Sequence, residues 1–205
     1  MQTPFERDLK DVHLVYDYGV DAHEGAQEKW RYELWFSHEV GACISGCLDK
    51  RATELDSLKM QNRVTYSIHG GPMAGRHNYQ AADYQCIRPG ELWQCNWLEG
   101  KSATISLTSP DADKTTTETG TVVSLVYDIP NKKITTSIAF SKGHWEHPNE
   151  AHGDKRNLED LSRWRELAKE GIQTDRHMLS AQADIVEVFK GPGDLKPIEQ
   201  SWPTM

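Results

Sequence analysis

Apolar and polar residues alternate along most of this chain with the period of two that belongs to strands. The alternation runs through Val12-His-Leu-Val-Tyr-Asp-Tyr18 and Trp30-Arg-Tyr-Glu-Leu-Trp-Phe36. It recurs in Arg63-Val-Thr-Tyr-Ser-Ile-His69, which stops at Gly70-Gly71. Tyr79 to Ile87 and Glu91 to Trp97 read as two strands joined by Pro89-Gly90, a dipeptide suited to a tight turn. Thr104 to Thr108, Gly120 to Tyr127, Lys133 to Phe140 and Ala183 to Phe189 extend the pattern. Eight or nine short strands with turn residues between them predict an all-β fold, an antiparallel barrel or sandwich, with one or two added helices. One helix is expected over Asn157 to Lys169, where Leu158, Leu161, Trp164 and Leu167 step along one face. Val40 to Met60 has helical stretches and interrupts what would otherwise be a hairpin. The expected organisation is one domain over 1–190 and an extended or loose tail over 191–205, rich in glycine and proline.

Charge narrows the partners. The 205 residues carry 23 basic against 31 acidic side chains, a formal net charge of -8. Nucleic acid or an anionic membrane surface would call for a cationic face, so neither is expected. Mean hydropathy is -0.69, and no apolar run approaches the roughly 20 residues that span a bilayer. The stretch Met1 to Asp8 has no apolar core, so no secretory leader is expected and the location read is the cytoplasm. Four cysteines are too few for a disulfide scaffold in a chain of this length. Cys43 and Cys47, in a stretch from Val40 to Met60 with no histidine, and Cys86 and Cys95, flanking the Pro89-Gly90 turn, are all read as free thiols.

An eight-stranded barrel has an interior wide enough for one small ligand. Tyr16, Tyr18, Trp30, Tyr32, Trp35, Tyr66, Tyr84, Trp93 and Trp97 lie on the expected strands, where they serve either as core or as walls for a flat aromatic ligand. Glycine-rich phosphate loops and a Gly-x-Ser-x-Gly elbow are absent. His144, His147 and His152 lack the spacing of a helical zinc pair, so no metal is expected.

Several short motifs, in order, resemble those of the phenolic acid decarboxylases. Tyr16-Asp-Tyr18 resembles that family's Tyr-Thr-Tyr, and Trp30-Arg-Tyr-Glu33 its Trp-x-Tyr-Glu. Tyr66-Ser-Ile-His-Gly-Gly-Pro-Met-Ala-Gly-Arg76 resembles Tyr-Arg-Ile-His-Gly-Gly-x-x-Ala-Gly-Arg. Ala82-Asp83, the hairpin ending in Trp97, Lys142 and His147-Pro148 follow in the family's order. The resemblance implies a lipocalin-like barrel, usually dimeric, that decarboxylates para-hydroxycinnamic acids without a cofactor. The phenol loses a proton, the alkene gains one to give a quinone methide, and loss of carbon dioxide restores the ring. Two tyrosines, an arginine and a glutamate share the work in that family.

Read against those motifs, Tyr16 and Tyr18 are the tyrosine pair, two apart and therefore on one face of their strand. Ser67 stands at the motif's arginine, and the family glutamate falls near Pro89-Gly90, which leaves Glu91 or Glu33 as the acid–base. If the register holds, Thr65, Ser67 and His69 face the cavity, with Arg76 the nearest remaining cation. Tyr32 and Trp93 complete the expected substrate-binding set. Two insertions, about 19–29 and 39–60, adjoin strands of the pocket and stand where substrate choice is set.

Three functions follow. The first is a cofactor-independent lyase on a phenolic or conjugated acid, with Ser67 arguing against simple hydroxycinnamates. The second is an isomerase or cyclase of specialised metabolism acting on a quinone-methide-like or polyenone substrate. The third is a non-catalytic lipocalin-like binder of aromatic small molecules. A homodimer is expected from the resemblance alone.

Overall fold

The computed structural model describes residues 2–21, 27–37, 62–100, 117–199 and 201–203. The expected strand Thr104 to Thr108, the core of both insertions, and Cys43 with Cys47 lie outside the described residues.

Among the described residues ten strands form one sheet: β1 (Val12–Asp21), β2 (Gln27–Trp35), β3 (Arg63–Ile68), β4 (Arg76–Ala81), β5 (Asp83–Arg88), β6 (Leu92–Gly100), β7 (Thr117–Asp128), β8 (Lys133–Ser141), β9 (Gly153–Asp154) and β10 (Arg176–Lys190). Three short helices accompany them: α1 (Pro4–Asp8), α2 (Lys142–Glu146) and α3 (Leu158–Leu167). The strand order is β5-β6-β7-β8-β10-β1-β2-β3-β4-β9. The pairs are antiparallel except β4–β9. The fold is therefore all-β with few helices, as the alternation predicts. The sheet does not close into a ring, because no ladder joins β5 to β9 among the described residues. It curls far enough for Gln80 of β4 to reach Glu118 of β7, Nε2 to Oε2 at 2.6 Å.

Alternation decides what lies inside the curl. In β6, Trp93, Cys95, Trp97 and Glu99 are buried while the residues between them are more exposed. In β8, Ile134, Thr136, Ile138 and Phe140 do the same. Leu14, Tyr16 and Tyr18 of β1 join them in one continuous core. Burying such rows supplies most of the driving force, at roughly 25 cal/mol per Å² of apolar surface.

The pairing of β6 with β7 jumps from Leu98–Val122 to Gly100–Thr117. Gly120, at φ +67°, takes the left-handed turn of this bulge. The irregularity lets neighbours Glu118 and Thr119 both be fully buried, where a regular strand would send one of them to solvent.

Helix α3 begins at Asn157, whose side chain accepts from the Glu159 N–H. Leu161, Trp164 and Leu167 are buried, but Leu158 is 65% exposed, so the apolar stripe is one turn shorter than its spacing predicts. The stretch expected as a single strand from Tyr79 is broken at Ala82 into β4 and β5. The described part of the tail packs against the domain. Leu195 is buried, the Trp202 ring lies 4.9 Å from that of Tyr79, and the Tyr79 hydroxyl donates to the Pro203 carbonyl at 2.8 Å. Among the described residues no helix is long and apolar enough to cross a membrane.

Candidate active site

The inner face of the curl encloses a cavity lined by Tyr16, Tyr18, Tyr32, Tyr66, Arg76, Trp97, Glu99, Thr121 and Thr136, with six aliphatic and Phe side chains between them. Its space totals about 440 Å³ when the crevices opening to solvent are included. Most of that space is narrow, so a ligand-sized opening requires the aromatic rings to part.

Tyr16, Tyr18 and Tyr32 form one cluster. The rings of Tyr16 and Tyr32 are stacked at 5.8 Å, and Tyr18 stands edge-on to both at 5.6 and 5.3 Å. Tyr16 and Tyr32 are cross-strand partners, which fixes this arrangement in the β1–β2 register. Burial pushes the Tyr18 phenol up to about 12, with hydrogen bonds to Thr136 and Tyr16 pulling the other way. Burial also pushes Tyr16 and Tyr32 up. All three therefore enter neutral pH as hydrogen-bond donors.

Arg76 and Glu99 supply the charge. Arg76 is 1% exposed and its Nη1 stands 3.7 Å from Glu99 Oε2. The other Glu99 oxygen accepts from the Tyr66 hydroxyl, and Oε2 also accepts from the Thr119 hydroxyl at 2.5 Å. Tyr66 in turn accepts from Asn78 Nδ2 at 3.0 Å. Burial pushes the Tyr66 phenol up as well, and the adjacent Glu99 charge adds to it. A charged pair in such a cavity is costly unless hydrogen bonds offset its desolvation. Here the hydroxyls of Tyr66 and Thr119 serve Glu99, while the Ala151 carbonyl and His144 serve Arg76.

Of the residues expected to be catalytic or substrate-binding, Tyr16, Tyr18, Tyr32 and Arg76 come together in this cavity, with Tyr66 and Trp97 among its aromatic walls. Thr65, Ser67, His69, Glu33, Glu91 and Trp93 do not line it. Strand β3 presents Tyr66 and Ile68 to the cavity, so Thr65 and Ser67 point to the opposite face. There they line an outer groove with His69, Glu33 and His77. Ser67 Oγ meets His77 Nδ1 at 2.6 Å. Glu33 faces His13 and His69, with its two oxygens each 2.8 Å from a ring Nε2. Glu91 stays in the β5–β6 turn, half exposed and paired with Arg88 at 2.8 Å. Trp93 is buried, but at the end of the curl closed by α1, where its Nε1 donates to Asp8 Oδ2 at 3.1 Å. Asp8 also accepts from the Gly90 N–H at 2.7 Å, which pins the turn away from the cavity.

Glu99 is the residue that sequence reasoning missed. Its signal is visible in retrospect: Trp93, Cys95 and Trp97 mark the inward parity of β6, and Glu99 is the next position of that parity. Tyr66, Thr121 and Thr136 follow the same rule on their own strands. His144, His147 and His152 play separate parts: His144 bonds Arg76, while His147 lies 3.3 Å from Glu170. Cys86 and Cys95 are free thiols, one exposed and one buried.

No protein-family model matches the chain, and no curated protein matches it.

Proposed function

We propose that the chain is a cofactor-independent lyase that removes carbon dioxide from a phenolic or similarly conjugated carboxylic acid. The observation that carries this reading is the meeting of Tyr16, Tyr18 and Tyr32 with the buried Arg76–Glu99 pair in one otherwise apolar cavity. The chemistry needs a base for the phenol, a proton for the alkene and donors for an anionic oxygen, and this set contains each.

In the proposed reaction Glu99 takes the phenolic proton, and the electron pair released moves through the ring to the side chain. The carbon next to the carboxylate takes a proton from a neutral hydroxyl of the tyrosine cluster, which regains one from solvent, giving a quinone methide. The bond from that carbon to the carboxylate then breaks, its electron pair restores the aromatic ring, and carbon dioxide leaves. The phenolate recovers its proton from Glu99, so each turnover consumes one proton overall. Tyr16 and Tyr18, held neutral by burial, donate hydrogen bonds to the anionic oxygen. Arg76 offsets the Glu99 charge, so a substrate anion meets little net repulsion on entry.

Ser67 no longer argues against simple hydroxycinnamates, since its side chain lies in the outer groove. Para-coumaric, ferulic and caffeic acids are therefore the first substrates to try. Incubation with the purified protein is expected to remove the cinnamate absorbance and yield the vinylphenol. A product of unchanged mass would replace this reading with an isomerase or cyclase. Retention of the acid without conversion would replace it with a binder. A small-molecule partner, a homodimer and a cytoplasmic setting belong to the same proposal.

A further inference from the structure

We propose that His144 is the positioning residue of Arg76, holding the guanidinium beside Glu99 without letting the two close into a tight ion pair. The inference rests on the reading of Arg76 and Glu99 given above and deepens it.

Arginine carries five N–H donors in a rigid fork, so whatever binds part of the fork sets where the rest can go. Arg76 Nε donates to the Ala151 carbonyl at 3.0 Å, and Nη2 to His144 Nδ1 at 2.7 Å. The indole ring of Trp164 lies under the guanidinium, 5.2 Å from Cζ. Nη1 is left pointing toward Glu99 at 3.7 Å, beyond hydrogen-bond reach. Swinging into a two-pronged bond with Glu99 would require Arg76 to abandon His144. The Glu99 oxygens stay with the Tyr66 and Thr119 hydroxyls instead.

His144 can accept from an arginine only as the neutral ring with its proton on Nε2. The fold imposes that form. His144 is fully buried, and its Nε2 lies 2.9 Å from the Trp164 carbonyl, an acceptor that fixes the proton there. Burial, with the Arg76 charge second, pushes the imidazole down to about 3, so it stays neutral at working pH. The neighbouring residue explains how the ring comes so close: a Cβ on Gly143 would meet the Leu167 carbonyl oxygen at 2.2 Å, so only glycine lets α2 press against the end of α3. Lys142-Gly143-His144 thus works as a small unit whose glycine places the histidine.

The test compares His144→Asn, which keeps an acceptor near Nδ1, with His144→Leu, which keeps bulk and removes the acceptor. On para-coumarate His144→Leu is expected to lower kcat by at least about tenfold with KM within about threefold, and His144→Asn to recover most of the loss. A second readout needs no turnover: nitrogen-15 NMR of the wild-type protein should report the Nε2–H tautomer of His144 and no titration between pH 5 and 8. The Arg76 side-chain N–H signals should shift in His144→Leu. If the NMR signatures hold and no hydroxycinnamate turns over, the lyase reading fails while the positioning contact stands. Equal kcat values for wild type and His144→Leu, or a His144 that titrates near neutrality, would overturn the inference.

Discussion

The hydroxyls of Tyr18 and Thr136 meet at 2.5 Å, although β1 and β8 are separated in the sheet by β10. The β10 residues opposite them are Ala183 and Ala181, small enough for the two side chains to reach across the strand. Replacing Tyr18 with Phe leaves the ring packed and removes the donor. The expected outcome is a fall in kcat/KM of at least about tenfold, near 1.4 kcal/mol, with the fold intact by circular dichroism. Unchanged kinetics would mean that the hydroxyl serves Thr136 alone.

Breaking the buried pair is expected to cost more stability than any surface change. Arg76→Met leaves Glu99 without its countercharge, and losses of about 3–5 kcal/mol are usual for a buried pair reduced to one partner. Urea unfolding of Arg76→Met, Glu99→Gln and the double variant measures this. The double variant should be less destabilised than the sum of the two, because it removes both charges. Strict additivity would show that the 3.7 Å separation carries no coupling.

The pH dependence of stability has two limbs, and burial shapes both. Burial raises Tyr18 from 10.0 to about 12. Above pH 10 the unfolded chain loses that proton first, so stability falls as pH rises from 10 toward 12. Burial lowers His144 from 6.5 to about 3. Below pH 6.5 the unfolded chain binds that proton first, so stability also falls as pH drops toward 3. Denaturant midpoints across the range should decline at both ends. His144→Asn should make the acid limb shallower while leaving the part due to Asp8, Asp17 and Asp154, which their partners hold below the usual carboxylate range.

Ser67→Arg tests the parity of β3 directly. Its side chain points to the outer groove beside His77, so the new guanidinium is expected to leave hydroxycinnamate turnover within about twofold of wild type. A large gain in turnover would mean that position 67 reaches the cavity after all.

Gly143→Ala places a methyl group against the Leu167 carbonyl. Overpacking of this kind costs about 1–3 kcal/mol, and the fault lies beside His144. The variant is expected to lose that much in urea titration and to lose kcat together with it. A variant as stable and active as wild type would show that α2 moves freely against α3.

Strand parity made much of this legible before any coordinates. The spacing of Tyr16 and Tyr18 put them on one face, and the turn at Pro89-Gly90 fell where β5 meets β6, with Gly90 at φ +75°. At position 67 the motif resemblance and the strand parity point opposite ways. Ser67 follows Tyr66, and neighbours on a regular strand cannot share a face, so once Tyr66 is inside Ser67 is outside. Glu91 failed for a different reason: Asp8, far away in sequence, pins its turn, a tertiary contact no local pattern records. Neither Arg76 with Glu99 nor His144 with Trp164 is local either. These pairings depend on how far the sheet curls, which alternation does not specify.

The position of β10 between β8 and β1 has a consequence for how the site comes into being. β1 to β4 make one meander and β5 to β8 another, each built from neighbours in sequence, and β10 is the seam that joins them. Tyr16, Tyr18, Tyr32 and Arg76 belong to the first meander, while Glu99, Thr121 and Thr136 belong to the second. In the sheet ladder the two meanders have no other strand between them, so until residues 176–190 are in place they meet only through contacts across the curl such as Gln80 with Glu118. Pairing Val12 with Lys190 then closes nearly the whole chain length in one contact, the kind of non-local event that sets slow folding rates. The ladder behind the site is thus completed by the strand that contributes none of the cavity's polar groups.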